Sequence, residues 1–146
     1  MRKGIFMSAT FRNDYNDMAA PEVLKAILDA QDEVNVGYGY DVHSSRAEAL
    51  ILKRFGIEDG KVFFLSGGTQ TNLVVISYLL RSFESVVAIE ESHINVHETG
   101  SVEGTGHKIL TYPGVDGKLQ TQDIEKAYLE SSSADWTPTV KLVYIT

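Results

Sequence analysis

The sequence predicts an α/β fold: a mostly parallel sheet with helices on both of its faces. Four apolar runs of strand length, at residues 62–65, 85–89, 108–111 and 140–146, alternate with segments of helical period, the order expected of strand-helix-strand units. The run at Ser85–Ile89 is continuous rather than alternating, as expected for the interior of a parallel sheet. A glycine-rich turn, Ser66-Gly67-Gly68-Thr69-Gln70-Thr71-Asn72, follows the first run directly, at the strand end where such sheets bind ligands.

In chain order, residues 1–20 show no sustained period, and the polar Phe11-Arg12-Asn13-Asp14-Tyr15-Asn16-Asp17 reads as an arm or loop. Pro21 suits the first position of a helix and Glu22 its positive end, with Val23, Leu24, Ile27 and Leu28 as one stripe. This predicts a first helix over Pro21–Gln31. Residues 1–33 are thus expected to form an arm and a first helix, and residues 34–146 the α/β body.

Glycines separate two tyrosines in Val34-Asn35-Val36-Gly37-Tyr38-Gly39-Tyr40-Asp41, a bendable segment fit either to line a pocket or to lie as an exposed loop. Ser45-Arg46-Ala47-Glu48 has capping-box spacing, and Gly56 supplies a stop, predicting a second helix over Arg46–Phe55. Val62-Phe63-Phe64-Leu65 reads as a buried strand feeding the glycine turn. The helix that follows is apolar on nearly every side, from Leu73 to Leu80, so it is expected to be covered by the sheet and by something else, such as another subunit.

Ser85–Ile89 is the next strand, with Ser92 placed to cap a short helix that ends by Gly100. Lys108–Thr111 is a third strand, Pro113–Gly117 a turn, Thr121 the cap of a helix carrying Ile124, Ala127 and Tyr128, and residues 140–146 a fourth strand.

Composition excludes several classes of function. The 146 residues match one domain, with 43% hydrophobic and 23% charged residues, as in a soluble globular protein. A formal charge of −7 offers nothing to a nucleic acid or an anionic membrane. The absence of cysteine removes disulfides, thiolate metal sites and a cysteine nucleophile together. No apolar run approaches the roughly 20 residues of a membrane span, and the opening Met1–Ser8 is too short for a signal-peptide core. A cytoplasmic location is the expectation.

The turn lacks both the Walker A lysine and the G-x-G-x-x-G spacing. Gly67, Gly68, Thr69 and Gln70 at a helix start instead suit one terminal phosphate, with backbone N–H groups and the Thr69 hydroxyl as donors. His93 and His97 share a helical face, but without H-E-x-x-H spacing they read as a stacking or hydrogen-bonding pair, and no metal is expected. A histidine at a strand end beside a phosphate site can lie flat on an aromatic cofactor ring.

Together, Phe11-Arg12-Asn13-Asp14, Tyr38-Gly39-Tyr40-Asp41, Ser66–Asn72 and Ser92-His93-Ile94-Asn95-Val96-His97-Glu98 resemble, in order and separation, the N-terminal half of threonine aldolases. These are pyridoxal 5'-phosphate enzymes of aspartate-aminotransferase-like fold within the beta-eliminating lyase group. The resemblance implies that residues 34–146 are part of a fold type I cofactor-binding domain, truncated at its C-terminal end. It implies that Gly68, Thr69 and Gln70 hold the cofactor phosphate, with Gly67 needed for the turn. It further implies that His93 stacks on the pyridine ring and serves as an acid/base, that Tyr38 approaches from its loop, and that Glu98 sits near a bound water or the substrate.

The chain departs from the family at two positions: Asn13 stands where a serine usually meets the substrate carboxylate, and His97 where tyrosine is common. Neither departure touches cofactor binding, but both bear on the substrate. None of the eight lysines stands where the resemblance places the cofactor-bonding lysine. The chain is therefore expected to be a fragment, inactive alone, whose sheet presents an open edge or an apolar face to a partner.

The function expected of the intact protein is cleavage of threonine, or a related β-hydroxy-α-amino acid, to glycine and an aldehyde. Its partners are then a small amino-acid substrate and either a second copy, as homodimer or homotetramer, or the remaining C-terminal part of the same protein. Two alternatives stand beside this one: another pyridoxal-phosphate β-eliminating lyase or aminotransferase-like enzyme, and a non-catalytic half-domain binding a phosphate compound or a partner chain.

Overall fold

A computed structural model describes residues 18–146, in two compact units divided after Val62. The expected arm, with Asn13, lies outside the described residues. Among the described residues no helix is long and apolar enough to cross a membrane.

Among its described residues the first unit holds two helices. α1 spans Pro21–Asp29, with Pro21 at its start and Glu22 in its first turn, and ends two residues before the predicted Gln31. Lys25 and Asp29 form an i,i+4 ion pair of 2.6 Å on its surface, while the stripe Val23, Leu24, Ile27 and Leu28 is exposed.

α2 spans Val42–Phe55 and begins four residues earlier than predicted. The cap is Asp41, not Ser45: its carboxylate accepts the Ser44 N–H at 2.8 Å and the Ser44 hydroxyl at 2.7 Å. Glu48, expected to close a capping box, instead accepts from Lys61 Nζ at 3.0 Å and the Val62 N–H at 3.2 Å. The predicted stop holds, since Gly56 sits at φ 65°, a left-handed conformation that favours glycine, and the Ile57 N–H returns to the Leu52 carbonyl.

The second unit, residues 63–146, is built on three strands: β1 Glu84–Ile89, β2 Lys108–Tyr112 and β3 Thr139–Val143. All pairings are parallel in the order β2-β1-β3, so β1 is central. Val86 lies opposite Ile109 on one side and Leu142 on the other, and the register on the β3 side shifts between Ser85 and Val86. Three predicted strands therefore form at the apolar runs, though β3 ends at Val143, three residues short of the predicted 146. The fourth prediction, residues 62–65, is corrected: the segment belongs to no strand, and Phe63, Phe64 and Leu65 are exposed. A four-residue apolar run suits a strand, but a strand also needs a neighbour for its N–H and C=O groups, and among the described residues none pairs with it.

Helices cover both faces of the sheet, as predicted. On one face Val86 and Ala88 pack with Ile76 of α3 (Gly68–Leu79), with Leu80 just past its end, and with Ile94 and Val102. On the other Val87 packs with Ala127 of α5 (Thr121–Ser132) and with Val140. The alternation of Val86, Val87 and Ala88 between faces is the two-residue period of a strand, and each fully buried Val or Ile contributes about 1.5–3 kcal/mol.

The N-cap of α5 is Gln120, one residue before the expected Thr121, in a reciprocal capping box with Asp123. Ile76 is the buried residue of α3, whereas Val74, Val75, Tyr78 and Leu79 stand 42–86% exposed. The all-round apolar pattern of α3 thus resolves into one face on the sheet and one face without cover among the described residues.

Candidate functional site

The glycine turn ends in α3, whose first residue is Gly68. The Thr71 N–H closes the first helical hydrogen bond, to the Gly67 carbonyl at 3.0 Å. The N–H groups of Gly68, Thr69 and Gln70 precede that bond and have no acceptor among the described residues, leaving three convergent donors at the positive end of the helix.

Gln70 also braces the turn. Its side-chain oxygen accepts the Ser66 N–H at 2.9 Å and the Ser66 hydroxyl at 2.8 Å, which commits that oxygen to the loop and leaves the Gln70 N–H for a ligand. Gly67 is extended at φ 175°, ψ 172°, a conformation open to any residue, so its backbone does not demand glycine as the sequence suggested. What Gly67 and Gly68 provide is space: a Cβ on either would meet no atom of the described residues within 4 Å. The cradle is open, sized by missing side chains and lined by N–H donors, which fits the terminal phosphate of a cofactor.

His93 begins α4, His93–Val96, just beyond the carboxyl end of β1. The predicted cap hydrogen bond from Ser92 is not made; the Ser92 carbonyl accepts from Asn95 and Val96, and its buried hydroxyl has no partner among the described residues. A four-residue helix leaves little to cap. The ring of His97 lies 5.6 Å from that of His93, centroid to centroid, tilted by 54°, so the two histidines do form a pair.

Glu98 closes the arrangement from beneath. Its side chain is fully buried, and its oxygens accept three hydrogen bonds: from His93 Nδ1 at 2.8 Å, from Asn72 Nδ2 at 2.6 Å and from the Ser101 hydroxyl at 2.7 Å. Asn72 Nδ2 also lies 3.5 Å from the Tyr144 hydroxyl, just past β3. Burial pushes the Glu98 carboxyl up, but the bonds from Ser101, His93 and Asn72 together outweigh it and hold its pKa below the ordinary value. Glu98 is therefore a buried carboxylate, satisfied by neighbours rather than turned toward solvent.

One continuous network thus joins the glycine turn to His93. Asn72 stands on α3 one turn past Gly68, and Glu98 carries the connection to the ring, whose side chain is half exposed. Sequence reasoning quoted Asn72 within the turn motif but gave it no role, and it passed over Ser101. A polar residue at the end of a glycine turn, followed by a carboxylate and a hydroxyl three apart, is a faint signal that becomes a network only after folding. Tyr38 belongs to the first unit, where it is fully exposed at φ 64°, unusual for a residue with a side chain.

Residues 11–146 match the family model described as beta-eliminating lyase. Over 141 residues the chain is 31% identical to the low specificity L-threonine aldolase of a Pseudomonas species, covering 95% of this chain and 40% of that protein. It is 28% identical over 138 residues to the low specificity L-threonine aldolase of Pseudomonas aeruginosa, covering 93% of this chain and 39% of the other. A solved structure of Leishmania major threonine aldolase superposes with a TM-score of 0.88 at 43% identity, over 91% of this chain and 39% of that one. The chain spans about two-fifths of the length of the curated relatives it matches.

Proposed function

The chain belongs to the beta-eliminating lyase family, and from that we propose that it supplies the phosphate- and ring-holding part of a pyridoxal-phosphate lyase acting on threonine or a related β-hydroxy-α-amino acid. The observation that most supports this reading is the tie from the glycine-turn helix through Asn72 and Glu98 to His93. It brings the elements suited to the two ends of such a cofactor under one set of hydrogen bonds.

In this proposal the N–H groups of Gly68, Thr69 and Gln70 and the Thr69 hydroxyl hold the phosphate, and the half-exposed His93 ring lies on the pyridine face. The cofactor supplies the electron sink when bound. In the overall reaction the Cα–Cβ bond breaks, the β-hydroxyl loses its proton as the aldehyde forms, and Cα gains a proton to give glycine. His93 Nε2 is the proton acceptor proposed for the hydroxyl, and His97, whose ring lies 5.6 Å from that of His93, is proposed to meet the substrate.

We propose further that the 146 residues bind and orient without turning over. Lys25, Lys61 and Lys126 are paired with Asp29, Glu48 and Glu130, and no lysine joins the network around Glu98 among the described residues. The uncovered apolar face of α3, with Phe63, supports an assembly with a second copy or with the remaining length of such a protein.

The test compares acetaldehyde released from L-threonine by the complete gene product and by the 146 residues alone, each supplied with pyridoxal phosphate. Aldehyde from the complete product alone is expected. No release from either, with no cofactor absorbance band, would defeat the reading; release from the short chain would defeat its second part.

A further inference from the structure

We propose that Glu98 is a positioning residue that locks the tautomer and orientation of His93 and keys both to α3. This rests on the cofactor reading for its use, but not for its existence. His93 Nδ1 lies 2.8 Å from Glu98 Oε1, and an ionised carboxylate only accepts hydrogen bonds. The neutral imidazole must therefore carry its proton on Nδ1 and leave Nε2 bare.

Asn72 Nδ2 donates to the same Oε1 at 2.6 Å, while Ser101 holds Oε2 at 2.7 Å, so both oxygens are fixed and the carboxylate cannot turn away. Three donors and full burial make rotation of Glu98 costly, since any other placement strands a buried group. Because Asn72 lies on the helix that begins at Gly68, the His93 ring is referenced to the glycine turn rather than to its own short helix.

Nitrogen-15 NMR of the histidine rings in the whole 146-residue chain tests this. The four histidines are assigned with single His→Phe variants. Above the pH at which the ring is protonated, His93 should show a protonated Nδ1 and a bare Nε2. Glu98→Gln, whose amide oxygen can still accept, should retain that pattern, whereas Glu98→Ala should shift the proton toward Nε2, the form favoured by free imidazole side chains. Asn72→Ala should leave the proton on Nδ1 but weaken retention of free pyridoxal phosphate by about tenfold, the loss expected when a neutral donor to a buried carboxylate is removed.

A proton on Nε2 in the unsubstituted chain overturns the proposal, as does an unchanged tautomer in Glu98→Ala. If Glu98→Ala fails to fold, the unsubstituted chain and Glu98→Gln still decide it. A chain with the Nδ1 proton that holds no pyridoxal phosphate overturns the cofactor reading and leaves the tautomer lock standing.

Discussion

The Ser131 hydroxyl accepts the buried Val140 N–H at 3.1 Å, joining the last turn of α5 to the start of β3. Beside this bond the register of β3 slips relative to β1, from Val140 opposite Ser85 to Leu142 opposite Val86. Ser131 also donates to the Tyr128 carbonyl at 3.0 Å, so its hydroxyl serves both roles. Ser131→Ala should cost about 1–3 kcal/mol, because the Val140 N–H is left buried without a partner. Urea unfolding of the two proteins measures this, and a difference within error would show that the irregular edge is satisfied some other way.

Ser92 poses the reverse case. Its hydroxyl is buried with no partner among the described residues, and removing it relieves a desolvated group. Ser92→Ala should match or exceed the parent in stability by up to about 1 kcal/mol. A clear loss would reveal a partner for the hydroxyl, such as a bound water.

Glu98 makes stability depend on acid. Its folded pKa lies below the ordinary 4.5, so its contribution is complete above that value and is lost as pH falls below it through the folded pKa. Chemical denaturation at stepped pH should show the parent losing stability below 4.5 more steeply than Glu98→Gln. Parallel curves would mean that Glu98 titrates alike folded and unfolded.

Gly68 separates stability from binding. With nothing among the described residues within 4 Å of an added Cβ, Gly68→Ala should leave the free chain as stable or slightly more so, since alanine favours a helix by roughly 0.5–1 kcal/mol over glycine in helix interiors. The methyl group would occupy the cradle, and affinity for pyridoxal phosphate should fall. Unchanged affinity by equilibrium dialysis would remove the turn from the binding site.

Asp41 caps α2, and Asp41→Ala should reduce helical ellipticity and amide protection at Ser44, while Asp41→Asn keeps most of both. Hydrogen exchange at the first turn of α2 reports the outcome. Equal protection in all three proteins would assign the cap elsewhere.

These sites also show what the sequence could reveal. Val86, Val87 and Ala88 were legible because an unbroken apolar run of that length has few uses besides a doubly covered strand. Capping was read less well: Asp41 and Gln120 won over Ser45 and Thr121 because several polar residues in a row can each serve, and backbone geometry picks one. Phe63 to Leu65 failed as a strand for want of a neighbour, a property of the whole sheet and not of those residues. At the site, the turn and His93 were visible as local patterns, whereas the bond from Asn72 to Glu98 spans 26 positions and no local pattern encodes it.

The central place of β1 also sets an order of assembly. Pairing Val86 with Ile109 closes a much shorter loop than pairing Val86 with Leu142. Loop closure costs more entropy as the loop lengthens, though slowly, and non-local parallel pairing is kinetically slow. The β1–β2 pair, which also leaves the ribosome first, is the natural nucleus, and β3 joins an existing edge. Because His93 and Glu98 lie in the connection between β1 and β2, their bond can form early; the hydroxyl of Tyr144 reaches Asn72 only when the last strand arrives.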